Sequence, residues 1–356
     1  MKRDIRIGLL LSQSGPYRLM SHAVRAGAVA AVEAVNRDPA SPVRLELVER
    51  DPRGDIDRYA PLCEEIIAAG ARHVVGCVTS WSRKEVIPVL ERMGGSLWYP
   101  LPYEGFETSD HVVYLHACPN QHLLPLLDWC FARHGRRGYL TGSNYIWGWE
   151  MNRIARERIT EAGGAVLGER YLPIGATEVA RMIEEIRVTR PDFVLNNLIG
   201  TSEYAFLAAL RALGEADPAF RPDRCPVLSC NLTECELPEI APAATEGLIS
   251  AGPYFAPGEG GFGSSPEAAA HAAVRLLAAL LAEPGGEARD LAALMRRPAA
   301  AAAGLDPETH HRSLPALIAR ARAGRFEVME DRGTLRADPY LSRPVAPVAP
   351  RLRLVP

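Results

Sequence analysis

The sequence lacks the two features that would tie it to a membrane or to nucleic acid. No apolar run approaches the roughly 20 residues that a membrane-spanning helix requires. The charge is balanced, because 40 Lys and Arg stand against 43 Asp and Glu and give a formal net charge of −3. No segment concentrates the basic residues into a patch that would bind phosphates. We therefore expect neither membrane insertion nor direct binding of nucleic acid.

Signatures of catalysis and of metal binding are also missing. There is no GxSxG nucleophile elbow, no HExxH zinc motif and no Walker loop. The pair His310–His311 has no Cys or carboxylate at ligand spacing beside it. Cys225, Cys230 and Cys235 recur every five residues, a spacing that fits no usual zinc or iron–sulfur pattern. We expect no enzymatic activity, no cofactor and no metal, and read these thiols as structural.

The cysteines and the N-terminus bear on the compartment. Seven cysteines form an odd set without the spacing of a secreted scaffold, which favours free thiols in a reducing compartment. The first apolar run, Ile5–Leu11, is short, is interrupted by Arg6, and leads into Ser12–Gly15 without a cleavage-like site. It therefore reads as the first strand of the fold. The protein is predicted to be cytoplasmic, or periplasmic if the native gene adds a signal sequence.

Short apolar segments alternate with amphipathic ones along most of the chain. The predicted strands are Ile5–Leu11, Val43–Glu49, His73–Cys77, Ser96–Tyr99, Val112–His116, Arg137–Gly142, Val166–Tyr171, Phe193–Leu198 and Pro226–Cys230. The predicted helices are His22–Asn36, Asp55–Ala69, Arg83–Met93, Gln121–His134, Trp149–Ala162, Thr177–Val188, Ser202–Leu213 and Pro266–Ala282. This alternation is typical of an α/β fold with parallel sheets covered by helices on both faces.

The chain is too long for one ordinary core, so we divide it into two lobes. Pro119 can open a new helix, and the Gly- and Pro-rich segment Ala256–Ser265 marks a second transition. The predicted lobe 1 comprises residues 1–118 and about 256–330, and the predicted lobe 2 comprises residues 119–255. Residues 331–356, which include a proline-rich end, are expected to form an extended C-terminal tail.

Polar and aromatic residues follow three of the predicted strands, in segments 78–82, 98–103 and 142–149. In parallel sheets, ligands sit beyond the carboxyl ends of the strands. Ser80 could hold a ligand, or it could simply cap the helix that follows. Aromatic walls with a few hydroxyls are typical of small-ligand clefts, so Tyr145 and Trp147 are assigned to the cleft. Trp149 is assigned to core packing.

Four strings in these segments resemble a known family. They are GCVTSWSRKEVIPVLE (Gly76–Glu91), YPLPYEGFE (Tyr99–Glu107), PNQ (Pro119–Gln121) and GSNYIWGWE (Gly142–Glu150). They are similar to the leucine/isoleucine/valine-binding family, in the branch that holds the cytoplasmic amide sensor of amidase operons and the urea-binding components of ABC transporters. The resemblance covers most of the chain up to Phe255. It implies the type I periplasmic-binding-protein fold, in which two Rossmann-like lobes joined by a three-crossover hinge close on a ligand.

The same resemblance implies roles for particular residues. Ser80 matches the serine that hydrogen-bonds the ligand, and Tyr145 matches the tyrosine that reaches across from the second lobe. Glu234 lies near the acid that holds an ammonium group in amino-acid binders, although it could instead accept from an amide NH₂ or act as a helix N-terminal charge. The full set of predicted ligand-binding residues is Ser80, Trp81, Tyr99, Leu101, Pro102, Tyr145, Trp147 and Glu234.

Leu101 is a departure, because amide sensors carry Thr there and amino-acid binders use a hydroxyl to hold the α-carboxylate. An unpaired buried carboxylate is costly, so the expected ligand is neutral and amide- or urea-like, with room for an apolar or aromatic substituent. The segment after Phe255 is shorter than in the family, which predicts a trimmed lobe 1.

The expected function is a cytoplasmic sensor whose partner is an RNA-binding antitermination protein; a homodimer is left open. The alternative is the substrate-binding subunit of an ABC transporter for urea, amides or branched-chain amino acids.

Overall fold

The computed structural model, which describes residues 2–284 and 290–342, begins with alternating strands and helices around one sheet. These elements are β1 (Arg3–Leu10), α1 (Arg18–Arg37), β2 (Val43–Arg50), α2 (Tyr59–Ala68), β3 (His73–Gly76), α3 (Ser80–Met93), β4 (Ser96–Tyr99) and β5 (Val112–Tyr114). All neighbouring strands are parallel, in the order β2-β1-β3-β4-β5. The β3, β4 and β5 strands are almost wholly buried, as their continuous apolar sequences predict.

A second sheet follows in the chain. Its elements are α4 (Leu123–Arg133), β6 (Arg137–Ser143), α5 (Ile146–Glu161), β7 (Ala165–Leu172), α6 (Ala180–Thr189), β8 (Phe193–Asn197), α7 (Thr201–Ala216), β9 (Val227–Ser229), α8 (Pro242–Thr245) and β10 (Ile249–Gly252). Strands β7, β6, β8, β9 and β10 are adjacent and parallel. The predicted α/β fold of two lobes with parallel sheets is confirmed.

Three helices then return to the first lobe: α9 (Ser265–Ala282), α10 (Leu291–Met295) and α11 (Pro298–Ala302). Val274 and Leu277 of α9 are buried in the first core. Helix α9 crosses α1 at Gly27, where an added Cβ would lie 2.1 Å from the carbonyl oxygen of Glu267. Glycine is therefore required for this close approach. Despite the short connection after Phe255, the first lobe is completed by a long, well-packed helix.

The last two strands differ from the sequence expectation. Strands β11 (Leu314–Arg322) and β12 (Arg325–Leu335) form an antiparallel hairpin that extends the second sheet beyond β10. Residues 314–330 thus lie in lobe 2 instead of lobe 1, and residues 331–335 are a strand instead of the start of a tail. The turn at Ala323 and Gly324 has positive φ at both residues, as tight hairpins prefer. The strand β12 escapes sequence detection because it is a charged, largely exposed edge strand.

The predicted tail therefore cannot begin before residue 336, because β12 runs to Leu335. The chain after Leu335 is described as far as Ser342, and there Asn120 Oδ1 accepts from the Asp338 amide at 2.9 Å. The rest of the predicted tail, residues 343–356, lies outside the described residues.

The chain passes between the lobes three times, through residues 115–122, 253–264 and 303–313. The first and third crossovers are joined by a 2.9 Å hydrogen bond from Gln121 Nε2 to Arg312 O, and the third also pairs with β5, where the Tyr114 amide donates to His310 O at 3.0 Å. The first crossover is also joined to the first residue of α9, directly after the second crossover, by a 2.8 Å hydrogen bond between His116 Nε2 and Ser265 Oγ. The three crossovers therefore form one connected hinge.

All seven cysteines are free thiols, and only Cys235 is partly exposed. Among residues 2–284 and 290–342, no helix combines the length and the apolar character needed to cross a bilayer.

Candidate ligand-binding site

The site lies where the loops that follow the central strands of both sheets meet. In the first sheet, β1 lies between β2 and β3. The connection from β1 to β2 and the connection from β2 to β3 therefore run in opposite directions along the sheet. In the second sheet, β6 lies between β7 and β8 in the same way. Such switch points leave a crevice beyond the carboxyl ends of the strands.

A partly open cavity of about 30 Å³, the inner cavity, lies between these loops. It is lined by Tyr17, Met20, Val78, Thr79, Ser80, Tyr99, Leu101, Pro102, Tyr145, Trp147, Ile199, Asn231, Thr233 and Pro266. Six of the predicted site residues are in this set: Ser80, Tyr99, Leu101, Pro102, Tyr145 and Trp147. The volume corresponds to about two water molecules. The two lobes thus line a space that fits a molecule of only a few heavy atoms.

Ser80 is not the residue that caps α3. Thr79 occupies the N-cap position, where its Oγ1 accepts from the Ser82 amide at 3.2 Å, and Ser82 Oγ accepts from the Thr79 amide at 3.0 Å. The Ser80 hydroxyl instead donates to Glu104 Oε2 at 2.9 Å. With its proton committed to Glu104, Ser80 can only accept hydrogen bonds from a molecule in the inner cavity.

Glu104 is held in turn by Arg83, whose side chain is completely buried. Arg83 Nη2 lies 2.5 Å from Glu104 Oε1, and Arg83 Nε lies 2.9 Å from Glu107 Oε1. Burial would lower the pKa of Arg83, but Glu104 and the neighbouring Tyr99 and Glu107 raise it well above its usual value, so the guanidinium stays charged. Arg83 is therefore fully engaged behind the cavity wall.

Glu107 balances a second cation. Burial alone would raise the pKa of Glu107, but the charge of Arg83 and the hydrogen bond from Lys84 hold it below its usual value. Two cations thus face two carboxylates in this cluster. None of the described residues that line the inner cavity carries a positive charge.

Three donors near the inner cavity have no acceptor within the described part of the chain. The hydroxyls of Tyr17 and Tyr145 make no hydrogen bond there, and Trp147 Nε1 is buried without a partner. Burial raises the pKa of both phenols above their usual value, so each keeps its proton. Trp147 Nε1 is fully buried, and unpaired buried donors are rare in native proteins, so a bound ligand would satisfy it.

Asn231 contributes a further polar group from the second lobe. Its Nδ2 donates to Leu198 O at 3.0 Å and lies 3.4 Å from Glu203 Oε2, which leaves Oδ1 with one long contact, 3.5 Å from Ser229 Oγ. Burial raises the pKa of Glu203 well above its usual value, and burial likewise raises the pKa of the neighbouring Glu236 to about 7. The fixed amide orientation makes Asn231 Oδ1 an acceptor.

Two predicted residues lie elsewhere. Trp81 contacts Tyr145 edge-on, at 5.6 Å between ring centroids, and lines a separate cavity of about 300 Å³ that we call the outer chamber. The outer chamber shares Tyr17 and Thr79 with the inner cavity. Glu234 lines neither space, because its Oε1 accepts from the Ala256 amide at 2.7 Å and so holds the second crossover.

Tyr17, Thr79, Asn231 and Thr233 also line the inner cavity but were not predicted. Each lies in a segment that follows a central strand, so the rule that locates Ser80 would also have selected these segments. In the third crossover, His311 stacks on Tyr114 at 4.0 Å between ring centroids. Within the described residues, no three His, Cys, Asp or Glu side chains are grouped so that they could hold a metal ion.

Comparison with known proteins agrees with this architecture. A family model described as "Periplasmic binding protein domain" matches residues 5–260. A solute-binding protein of an ABC transporter from R. palustris, in complex with 4-hydroxybenzoate, matches with a TM-score of 0.75 at 19% identity over 94% of this chain and 97% of that one. An amino acid ABC transporter substrate-binding protein from Pseudomonas fluorescens matches with a TM-score of 0.75 at 19% identity over 95% and 97% of the two chains.

A branched-chain amino acid transporter substrate-binding protein from Streptococcus pneumoniae, in complex with isoleucine, matches with a TM-score of 0.74 at 14% identity. That likeness covers 94% of this chain and 100% of the other. Likeness at such low identity establishes the fold and leaves the ligand open.

Proposed function

This chain belongs to the type I periplasmic-binding-protein family, and we propose that it is the substrate-binding component of an ABC importer for a small, neutral amide or urea-like compound. The observation that carries the choice of ligand is the hydrogen bond from Ser80 to Glu104, which makes Ser80 an acceptor facing a cavity whose described lining residues include no cation. An amide or urea NH₂ group is a donor that such a wall would bind.

The opposite side of the inner cavity suits the other end of such a ligand. An amide carbonyl oxygen needs donors, and neither the Tyr145 hydroxyl nor Trp147 Nε1 has an acceptor among residues 2–284 and 290–342. Leu101 is almost completely buried in the wall and offers no hydrogen bond to an α-carboxylate. Since Arg83 is engaged by Glu104 and Glu107, an anionic ligand would meet no free cation and would lose its hydration without compensation.

The importer role is preferred over the regulator that the sequence alone favours. The solved relatives described above are binding proteins of ABC transporters, with a benzoate or an amino acid as ligand where one is bound. None of them supports a cytoplasmic sensor or an antitermination partner. Their ligands include carboxylates, so the assignment of an amide ligand rests on the hydrogen-bonding groups that line the inner cavity of this chain.

A cytoplasmic sensor of the same ligand class is the second candidate. It is favoured by one observation, the seven free thiols, because free cysteines are typical of reducing compartments. Osmotic-shock fractionation of the native host separates the two candidates. Release of the protein with the periplasmic fraction supports the importer, and retention in the cytoplasm supports the sensor.

The proposed ligand is tested with Ser80→Ala and Tyr145→Phe, titrated calorimetrically with acetamide and urea. Each variant should lose one ligand hydrogen bond and bind about ten-fold more weakly, equivalent to about 1–2 kcal/mol. The two losses should be coupled instead of additive, because the residues lie on opposite lobes and neither bond forms fully without closure.

Ser82→Ala is the matched control, since it removes a hydroxyl from the same helix turn but one used in the capping box. It should lower the melting temperature and leave the affinity unchanged. Unaltered affinity in both Ser80→Ala and Tyr145→Phe, or strong binding of leucine with none of the amides, would overturn the proposed function.

A further inference from the structure

The outer chamber has no role in the site described so far. Its volume of about 300 Å³ is about ten times that of the inner cavity, which is about 30 Å³. The two spaces meet at Tyr17 and Thr79. Ile56, Tyr59 and Trp81 line the outer chamber from the first lobe and Ile174 from the second. Because both lobes contribute walls, the chamber takes its shape when the lobes close.

Several polar side chains of the chamber are already paired. Ser12 Oγ lies 2.9 Å from the Tyr59 hydroxyl and accepts from the Gly54 amide at 3.0 Å. Thr79 Oγ1 accepts from the Ser82 amide, as described above. The Asp55 carboxylate lies at the exposed edge and accepts from the Asp57 amide at 3.0 Å. Apart from the Tyr17 hydroxyl and the Trp81 indole nitrogen, the remaining side-chain surface is aliphatic and aromatic carbon, which suits an uncharged apolar group.

The volume indicates how large that group can be. An apolar cavity of about 150 Å³ is known to hold a benzene molecule. The outer chamber has about twice that volume and so has room for an aromatic ring with one or two further carbons. The inner cavity, by contrast, has room only for the polar head of a ligand.

Tyr17 stands between the two spaces. It is half-buried, and its hydroxyl makes no hydrogen bond within the described residues, so the side chain can turn without breaking one. We infer that the physiological ligand is an amide with an aromatic or comparably bulky apolar substituent, whose head occupies the inner cavity and whose substituent passes Tyr17 into the outer chamber. This inference rests on the proposed function and adds the class of substituent.

The test compares acetamide with phenylacetamide by calorimetry on the full chain. Phenylacetamide should bind at least ten-fold more tightly than acetamide, because burying the ring removes apolar surface from water. Ile56→Trp, which fills the chamber, should weaken phenylacetamide binding at least ten-fold and change acetamide binding less than two-fold. Ile56→Val is the matched control and should leave both affinities within about two-fold.

If Ile56→Trp fails to fold, as judged by its melting curve, Ile174→Phe fills the same chamber from the other lobe. Acetamide binding without any gain for phenylacetamide, or equal weakening of both amides by the filling variants, would overturn the inference and leave the proposed function intact. If neither amide binds, the proposed function fails and the inference fails with it.

Discussion

Replacing Arg83 with leucine is expected to lower the free energy of unfolding by about 3–5 kcal/mol, measured by urea denaturation. The guanidinium is completely buried and is the cation that Glu104 contacts. Removing it leaves the Glu104 carboxylate buried without a counter-charge, and the cost of that exceeds the cost of losing an exposed ion pair. The loss should be partly recovered in the double variant Arg83→Leu/Glu104→Gln, which removes the stranded charge.

Arg92→Leu provides the matched control. Arg92 lies on the same helix, α3, and pairs with Glu64, but both side chains are about half exposed. Exposed pairs of this kind contribute about 0–1 kcal/mol, so Arg92→Leu should cost little. If Arg83→Leu costs no more than Arg92→Leu, the buried ion pair that fixes Ser80 is not formed as described.

The positions of the main elements could be predicted because they depend on local patterns. The apolar runs that become β3, β4 and β8 are short, continuous and bounded by turn residues. This pattern is typical of buried parallel strands. Once the strands are parallel, their carboxyl ends lie at one edge of each sheet. That is why Ser80 and Tyr145, distant in sequence and in different lobes, could both be assigned to the cleft.

The rest of the fold depends on long-range packing that a local pattern does not carry. Strand β12 is mostly charged, and it becomes a strand because β11 offers it an edge to pair with. Helix α9 was predicted as a helix, but its close crossing with α1 depends on Gly27, more than 200 residues away in the chain. The assignment of β11 and β12 to the second lobe likewise depends on pairing with β10.

The chemistry of the site was predicted less completely than its location. Arg83 and Glu104 both lie in the strings that carry the family resemblance, yet neither was assigned a role. Which atom Ser80 donates to depends on the burial and rotamers of side chains 24 residues apart. Glu234 was expected beside the ligand, but the chain turns after β9 so that its carboxylate reaches the second crossover instead.

Acetamide is expected to bind at least about 100-fold more tightly than acetate, a ligand of the same size and shape that differs in charge and in its hydrogen-bond donors. Acetate cannot donate to Ser80 or to Asn231 Oδ1, and no described residue lining the inner cavity offers it a cation. Acetamide can donate to both acceptors and accept from the Tyr145 hydroxyl. The features that could favour acetate are the Tyr145 hydroxyl and Trp147 Nε1, which can donate to a carboxylate, and the N-terminus of α3, whose first backbone amides attract anions.

The most direct measurement is therefore a pair of calorimetric titrations of the full chain at pH 8, one with acetamide and one with acetate. The predicted result is saturable binding of acetamide and binding of acetate that is at least about 100-fold weaker or undetectable. Ser80→Ala should reduce this preference, since it removes an acceptor that only the amide can use. Equal affinities, or tighter binding of acetate, would contradict a neutral-ligand site and would show that the donors of the cavity and the helix terminus, not the Ser80–Glu104–Arg83 wall, select the ligand.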